Sequence, residues 1–288
     1  MKQDYFKYIL GLLILGSNGV IASMISMSSY EIVLTRSFFG GCFLWFLILL
    51  TRQELKFKTY KKELIYMVIS GVAMGVNWMS LYEGYTQIGV SLSTLLCYCG
   101  PILVLILSPL FFKEKLTPPK IIGFIAVMIG LLLINKGSLS EGKTLWGLLC
   151  GIIAAVSYAV MLISNKKAKH ISGIENAALQ ILFALITVAL FVIFKQGLNI
   201  HIQPTDWIPV LILGIFNTGV GIYLYFSPIS KLPVQSVAIC GYIEPLSAVI
   251  FSVIFLGEVM LPIYILGGIL IIGGAMFGEL YKSKEKVL

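Results

Sequence analysis

The sequence predicts an all-α integral membrane protein: ten transmembrane helices arranged as two inverted five-helix repeats. Three observations carry that expectation. The 288 residues are 58% hydrophobic, with a mean hydropathy of +0.96. The apolar residues fall into ten long, solid runs. The second half repeats the first at an offset of 144 residues.

Composition sets the class. Only 12% of residues are Asp, Glu, Lys or Arg, against about 25% in an ordinary soluble domain. A soluble globule cannot bury that much apolar surface. An outer-membrane barrel alternates apolar and polar residues along each strand, whereas the runs here are continuous. A spanning helix needs about 20 residues, so ten of them leave no room for a separate soluble domain.

The elements follow in chain order. The first run, 6–24, comes after Lys2 and Lys7, as in a signal peptide, but Asn18 interrupts it. No convincing small-x-small cleavage site follows Ala22, so it reads as a retained span. Run 31–51 holds Arg36, and run 63–83 holds Asn77, Trp78 and Ser80. Run 91–112 holds Tyr98 and Pro101, and run 119–135 carries Lys120 at its start. The second half gives 145–164; 175–195 with Gln180; 207–227 with Asn217 and Tyr223; 234–256 with Glu244 and Pro245; and 261–280.

Basic residues set the orientation, because cytoplasmic loops are enriched in Lys and Arg. With a cytoplasmic N-terminus and ten alternating spans, 17 of the 21 fall inside. Lys136, Lys143 and Lys195 fall outside, and Arg36 lies within span two. The net charge of +8 therefore reads as a topology signal rather than a nucleic-acid surface, and both termini are expected in the cytoplasm. Cys42, Cys97, Cys99, Cys150 and Cys240 all lie in apolar runs. They read as small packing residues.

The internal repeat defines two domains, 1–137 and 138–288. Over 98–130 there are 11 identities in 33 ungapped positions. Pro101 meets Pro245, Glu114 meets Glu258, Gly123 meets Gly267 and Gly130 meets Gly274. Further upstream, Val90 meets Val234. Five spans per half is an odd number, so the second copy enters the membrane inverted. Inverted repeats are a signature of secondary transporters.

The ten spans, the duplication and the two half-ends are similar to the drug/metabolite transporter superfamily, in its ten-span branch with two EamA domains. The first half-end reads Pro101, Glu114-Lys115-Leu116, Gly123, Gly130; the second reads Glu244-Pro245, Gly257-Glu258, Gly267, Gly274. Arg36 also resembles the family pattern. The resemblance implies transport of amino acids, related metabolites, nucleotide sugars or amphiphiles. It also implies a central cavity ringed by spans one to four and six to nine, with five and ten peripheral, in the cytoplasmic membrane.

Glu244 is the sharpest candidate. It lies about ten residues into span nine, about 15 Å deep at 1.5 Å per residue, near the middle of the bilayer core. An intramembrane carboxyl usually faces protein or a water-filled cavity. It is a candidate for proton coupling or for binding a substrate ammonium. Its repeat partner is Gly100, so only one half carries the carboxyl. The other substrate-binding candidates are Asn18, Asn77, Trp78, Tyr82, Tyr98, Gln180, Asn217 and Tyr223. Helix-joining hydrogen bonds and interfacial anchoring are the competing roles for these side chains.

Pro101 and Pro245 are expected as mid-span hinges that free the carbonyls of Cys97 and Gly241. Arg36 is expected to form a structural ion pair with Glu31 or Glu83, with capture of a substrate carboxylate as the alternative, and Glu114 and Glu258 to cap span ends. Gly71-x-x-x-Gly75, Gly147-x-x-x-Gly151 and Gly274-x-x-x-Gly278 fit close helix packing; the last also bears on a dimer. No Walker loop is present, and His170 and His201 lie in loops. No cofactor, metal or catalytic residue is expected.

The sequence is thus expected to encode a secondary transporter rather than an enzyme. It would move a small amino-acid-like metabolite, outward, by alternating access, as a monomer or homodimer in the bilayer and without nucleic acid. The alternatives are an importer of a quaternary amine such as choline, and a membrane-embedded enzyme or sensor.

Overall fold

In a computed structural model, the chain is described over residues 2–88, 93, 96–134, 144–197, 200–257 and 262–280. Val90, Glu258, Lys136, Lys143, Lys282, Lys284 and Lys286 lie outside the described residues, as do parts of spans four and ten. Among the described residues the secondary structure is helical, without strands. Seven helical stretches are long and apolar enough to cross a membrane.

The first crossing is α1 (Lys2–Gly16) followed by α2 (Asn18–Ala22). The second and third are α3 (Ser29–Thr51) and α4 (Lys61–Ile88). Two shorter apolar helices follow, α5 (Gly100–Phe112) and α6 (Pro118–Ile134). Then come α7 (Leu145–Lys167) and α8 (Gly173–Gln196). The next crossing combines α9 (Trp207–Leu211), a π-helical segment (Ile212–Gly221) and α10 (Ile222–Phe226). The last long crossing joins α11 (Val234–Cys240) to α12 (Ile243–Leu256), and α13 (Pro262–Leu280) ends the described chain.

The surface is apolar, as lipid contact requires. Leu110 is 76% exposed, Ile254 64% and Phe46 60%. A contiguous apolar exterior of this kind marks a membrane-embedded surface. The interior is knit by small residues and buried polar groups. A side chain at Gly71 would come within 2.5 Å of Phe183, and one at Gly75 within 2.6 Å of Thr187. The backbones of α4 and α8 therefore approach closely, as small-residue helix interfaces allow.

The contact between α6 and α13 is reciprocal. A Cβ on Gly130 would lie 2.5 Å from the Gly267 carbonyl oxygen, and a Cβ on Gly274 would lie 2.5 Å from that of Gly123. The two contacts exchange counterparts 144 residues apart, Gly274 for Gly130 and Gly267 for Gly123. Gly274 is thus used inside the molecule.

Three crossings are interrupted, and each break has a local cause. Between α1 and α2, the Ser17 hydroxyl donates to the Ile14 carbonyl at 2.7 Å, taking the place of regular winding. The π segment is the second break. The third corrects the hinge expectation at the prolines. Pro101 and Pro245 do not kink continuous helices: each stands in the first turn of a new helix, after Cys99 and Tyr242 respectively. There the missing N–H costs no intrahelical bond. The Gly241 carbonyl is not free either, since it accepts the Glu244 N–H at 3.2 Å.

One end of the bundle is tied shut across the two halves. The Glu114 carboxylate accepts the backbone N–H groups of Val234 (2.8 Å) and Gln235 (3.2 Å), capping the start of α11. The Gln235 amide donates to the Ser108 hydroxyl at 2.6 Å and accepts from Lys120 Nζ at 2.8 Å. Lys166 Nζ donates to the carbonyls of Ile229 (3.0 Å), Ser230 (3.1 Å) and Leu232. Deeper in, the fully buried Tyr8 hydroxyl donates to the Val237 carbonyl at 2.9 Å.

Candidate functional site

Above that closed end lies a cavity of about 510 Å³. Its walls come from both halves: α1 and α2, α3, α4 and the turn before α5 on one side, and α7, α10 and α12 on the other. Of the sequence candidates, Asn18, Asn77, Trp78, Tyr82, Tyr98, Glu244 and Pro245 line it.

The break between α11 and α12 places Glu244 in the first turn of a helix, where the positive end of the helix dipole favours a carboxylate. Ser247, one turn on, turns its hydroxyl back to the Glu244 carbonyl at 2.8 Å. Gly16 fits against the same turn: a Cβ there would lie 1.9 Å from Ser247 Oγ and 2.9 Å from the Glu244 carbonyl oxygen. This close approach seats α1 and α2 beside α12. No described residue gives a hydrogen bond or ion pair to the Glu244 carboxyl; it faces the cavity. On the same side, the Oδ1 atom of Asn18 is buried without a hydrogen-bond partner among the described residues.

The lining also includes Arg36, which the sequence placed in an ion pair with Glu31 or Glu83. The structure corrects this. Glu31 closes the capping box of α3 by accepting the Ser28 N–H at 2.8 Å. Glu83 pairs with Lys195 at 2.7 Å and accepts the Tyr30 hydroxyl. Arg36, only 6% exposed, donates from Nε to Thr218 Oγ1 at 2.9 Å and lies over the Trp78 ring at 5.1 Å. The π segment makes this possible. Thr218 donates its own hydroxyl to the Leu213 carbonyl five residues back, at 2.8 Å, and so presents its oxygen to Nε. π-helical turns recur at functional sites for such local re-aiming.

The remaining wall is aromatic and amide. Asn77 donates to the Ala154 carbonyl at 2.7 Å and to Cys97 Sγ at 3.4 Å, bracing α4 against α7. The Tyr98 carbonyl accepts the Tyr242 hydroxyl at 2.7 Å, a link across the 144-residue repeat. The hydroxyls of Tyr158 and Tyr225 lie 3.3 Å apart at the cavity floor.

Gln180, Asn217, Tyr223 and Pro101 fall outside the lining. Gln180 joins a buried amide cluster: its Oε1 accepts from Asn165 at 3.1 Å, and Asn165 and Asn176 exchange bonds at 3.0 and 3.1 Å. Asn217 donates to the Ile14 carbonyl at 2.9 Å and to Ser17 Oγ at 2.8 Å, holding the α1–α2 break. Tyr223 packs at the margin of the main core, and Pro101 is buried at the start of α5. Arg36, whose expected role was chiefly an ion pair, and Tyr158 and Tyr225, which were not among the binding candidates, also line the cavity. An arginine inside an apolar run was the available signal for the first. The tyrosines resemble interfacial residues in one dimension.

Known proteins place this architecture. The EamA-like transporter family model matches residues 5–136 and again 145–278. The chain belongs to the EamA-like transporter family. Among similar proteins of Bacillus subtilis are the uncharacterized transporter YxxF, 26% identical over 87% of this chain and 81% of that protein, and the uncharacterized transporter YetK, 28% identical over 83% and 75%. A solved crystal structure superposes with a TM-score of 0.81 over 96% of this chain and 98% of the other, at 16% identity; that likeness concerns the fold. This EamA-like protein is thus a multi-pass membrane protein of a transporter family.

Proposed function

We propose that the chain is a secondary transporter that carries a small amino-acid-like metabolite outward across the cytoplasmic membrane. On this reading ten spans form two inverted five-helix repeats, with both termini cytoplasmic. The repeats rock about the central cavity to expose it to each side in turn. The reciprocal Gly130–Gly267 and Gly274–Gly123 contacts and the two family matches support the two-repeat arrangement. The carrying observation is the cavity itself, walled by both halves, with the Glu244 carboxyl facing it. An intramembrane carboxyl without a hydrogen-bond or ion-pair partner among the described residues is suited to exchange a proton or meet a substrate cation.

The test is counterflow of labelled amino acids in proteoliposomes. Wild-type protein is expected to exchange at least one of them, with a rate that depends on pH. Glu244→Gln is expected to abolish that pH dependence. A pH profile shared by wild type and Glu244→Gln removes proton coupling through this residue.

The aromatic wall of Trp78, Tyr82, Tyr98, Tyr158 and Tyr225 favours a second reading, an importer of a quaternary amine such as choline, since aromatic rings bind such cations. Thermal stabilisation by choline but not by amino acids selects it, because a ligand that binds only the folded state raises the melting temperature.

A further inference from the structure

A second cavity, of about 460 Å³, lies between α4, α7 and α8. It shares no lining residue with the central one. Helix α4 serves both: Asn77, Trp78 and Tyr82 line the central cavity, while Val76, Met79 and Glu83 line this one. Glycines explain where it opens. At Gly71 and Gly75 the backbone of α4 closes on Phe183 and Thr187 of α8. Beyond that pinch the lining positions are Met79 and Glu83 on α4, and Phe191 and Lys195 on α8. These bulkier residues keep the two backbones from so close an approach. Gly147 meanwhile holds α7 against Gln87 and Ile88 of α4.

The walls and the mouth differ in chemistry. Val76, Met79, Ile153 and Phe191 make an apolar interior. The mouth is polar, with Lys195 near the end of α8, Glu83 near the end of α4 and Trp146 at the start of α7. Lys195 donates to Glu83 at 2.7 Å and lies over the Tyr30 ring at 5.8 Å, and its side chain is 45% exposed. An ammonium carries three donors, so it can also meet an acceptor arriving from outside. Trp146 is 54% exposed and Ile153 38%, so the cavity opens toward lipid along α7. Tryptophan and lysine at helix ends mark the headgroup level of a bilayer. From Glu83 to Val76 the cavity follows α4 for about 10 Å, at 1.5 Å per residue. That is about two-thirds of one leaflet in a core about 30 Å thick. The cavity thus runs inward from headgroup level, as an acyl chain does.

We propose that this cavity binds one phospholipid. An acyl chain fills the apolar space between α4, α7 and α8, and the phosphate accepts from Lys195 at the mouth. The chain supplies the dispersion contacts that an empty cavity forgoes, and the phosphate adds a charge-assisted hydrogen bond. The site is separate from the central cavity and does not depend on what that cavity carries.

The test is native mass spectrometry of the purified full chain, titrated with phosphatidylglycerol or with diacylglycerol of the same chains, which lacks the phosphate. Wild type is expected to retain one phosphatidylglycerol and to hold diacylglycerol at least ~10-fold more weakly, the scale of one lost charged contact. Val76→Phe, which grows a ring into the deep end, is expected to lose that lipid. Lys195→Gln is expected to bind both lipids alike, and Lys195→Arg to keep the preference. Glu244→Gln, altered in the central cavity alone, is expected to retain the lipid. A measurement that needs no variant uses phosphatidylglycerol with a diazirine on its acyl chain. On irradiation it is expected to label wild type within 76–83, 146–153 and 187–195. Equal affinity of wild type for the two lipids overturns the proposal, as does an unchanged lipid count in folded Val76→Phe. Loss of the lipid in folded Glu244→Gln, or labelling of the central lining or evenly over the apolar exterior, overturns it too.

Discussion

Arg36 illustrates how rotation about a helix axis decides a side chain's role. Its charge and its depth in an apolar run are visible in the sequence. Its partner is not, because Glu31 and Glu83 are equally near in one dimension. The structure gives Glu31 to the cap of α3 and Glu83 to Lys195, which turns Arg36 to the cavity. Asn217 and Gln180 make the same point in reverse: both are polar residues in apolar runs, and both join helices to one another. A test at this scale is Thr218→Val, which keeps shape and removes the acceptor at Nε. Leaving a buried charged donor unpaired costs about 1–3 kcal/mol. The expected outcome is a lower melting temperature in detergent and a weaker affinity for carboxylate ligands, with affinity for their amides little changed.

At the scale of elements, hydropathy finds the helices and misses their breaks. Run 207–227 carries no sign that its middle winds as a π-helix, since the winding answers to Thr218 and to the close approach of α3. Run 234–256 announces a disturbance through Pro245 but not its form, which is a fresh helix start with Glu244 in the first turn. The glycines matched at the 144-residue offset stand where the backbones of α6 and α13 touch. Gly130→Leu and Gly274→Leu should each destabilise by overpacking, by about 1–3 kcal/mol. Gly273→Leu, at a position with open space around it, is the control expected to leave thermal unfolding unchanged. Lys166→Ala strips a donor from three carbonyls at the tied end. It should lower the melting temperature by a comparable margin while leaving ligand affinity intact.

For the whole molecule, the family and the membrane setting follow from composition, spans and duplication. The cavity's polarity does not, because it depends on which residues of seven helices meet. The bundle is closed where Glu114, Gln235 and Lys120 tie the halves together, with Lys166 bracing the same end within the second half. The cavity reaches toward the other end, lined there by Ala22, Arg36 and Tyr85. If transport requires that tie to open, bridging Lys120→Cys to Gln235→Cys with a bifunctional thiol reagent should stop turnover while binding persists. Continued flux in the bridged protein would contradict alternating access through that end.

The most direct test of the central claim is amino-acid counterflow in proteoliposomes, with wild type, Arg36→Gln and Glu244→Gln compared at matched protein incorporation. The account predicts exchange of an amino-acid-like substrate by wild type, with substrate selectivity altered in each variant. Wild-type exchange whose substrate selectivity is the same in all three proteins would contradict it.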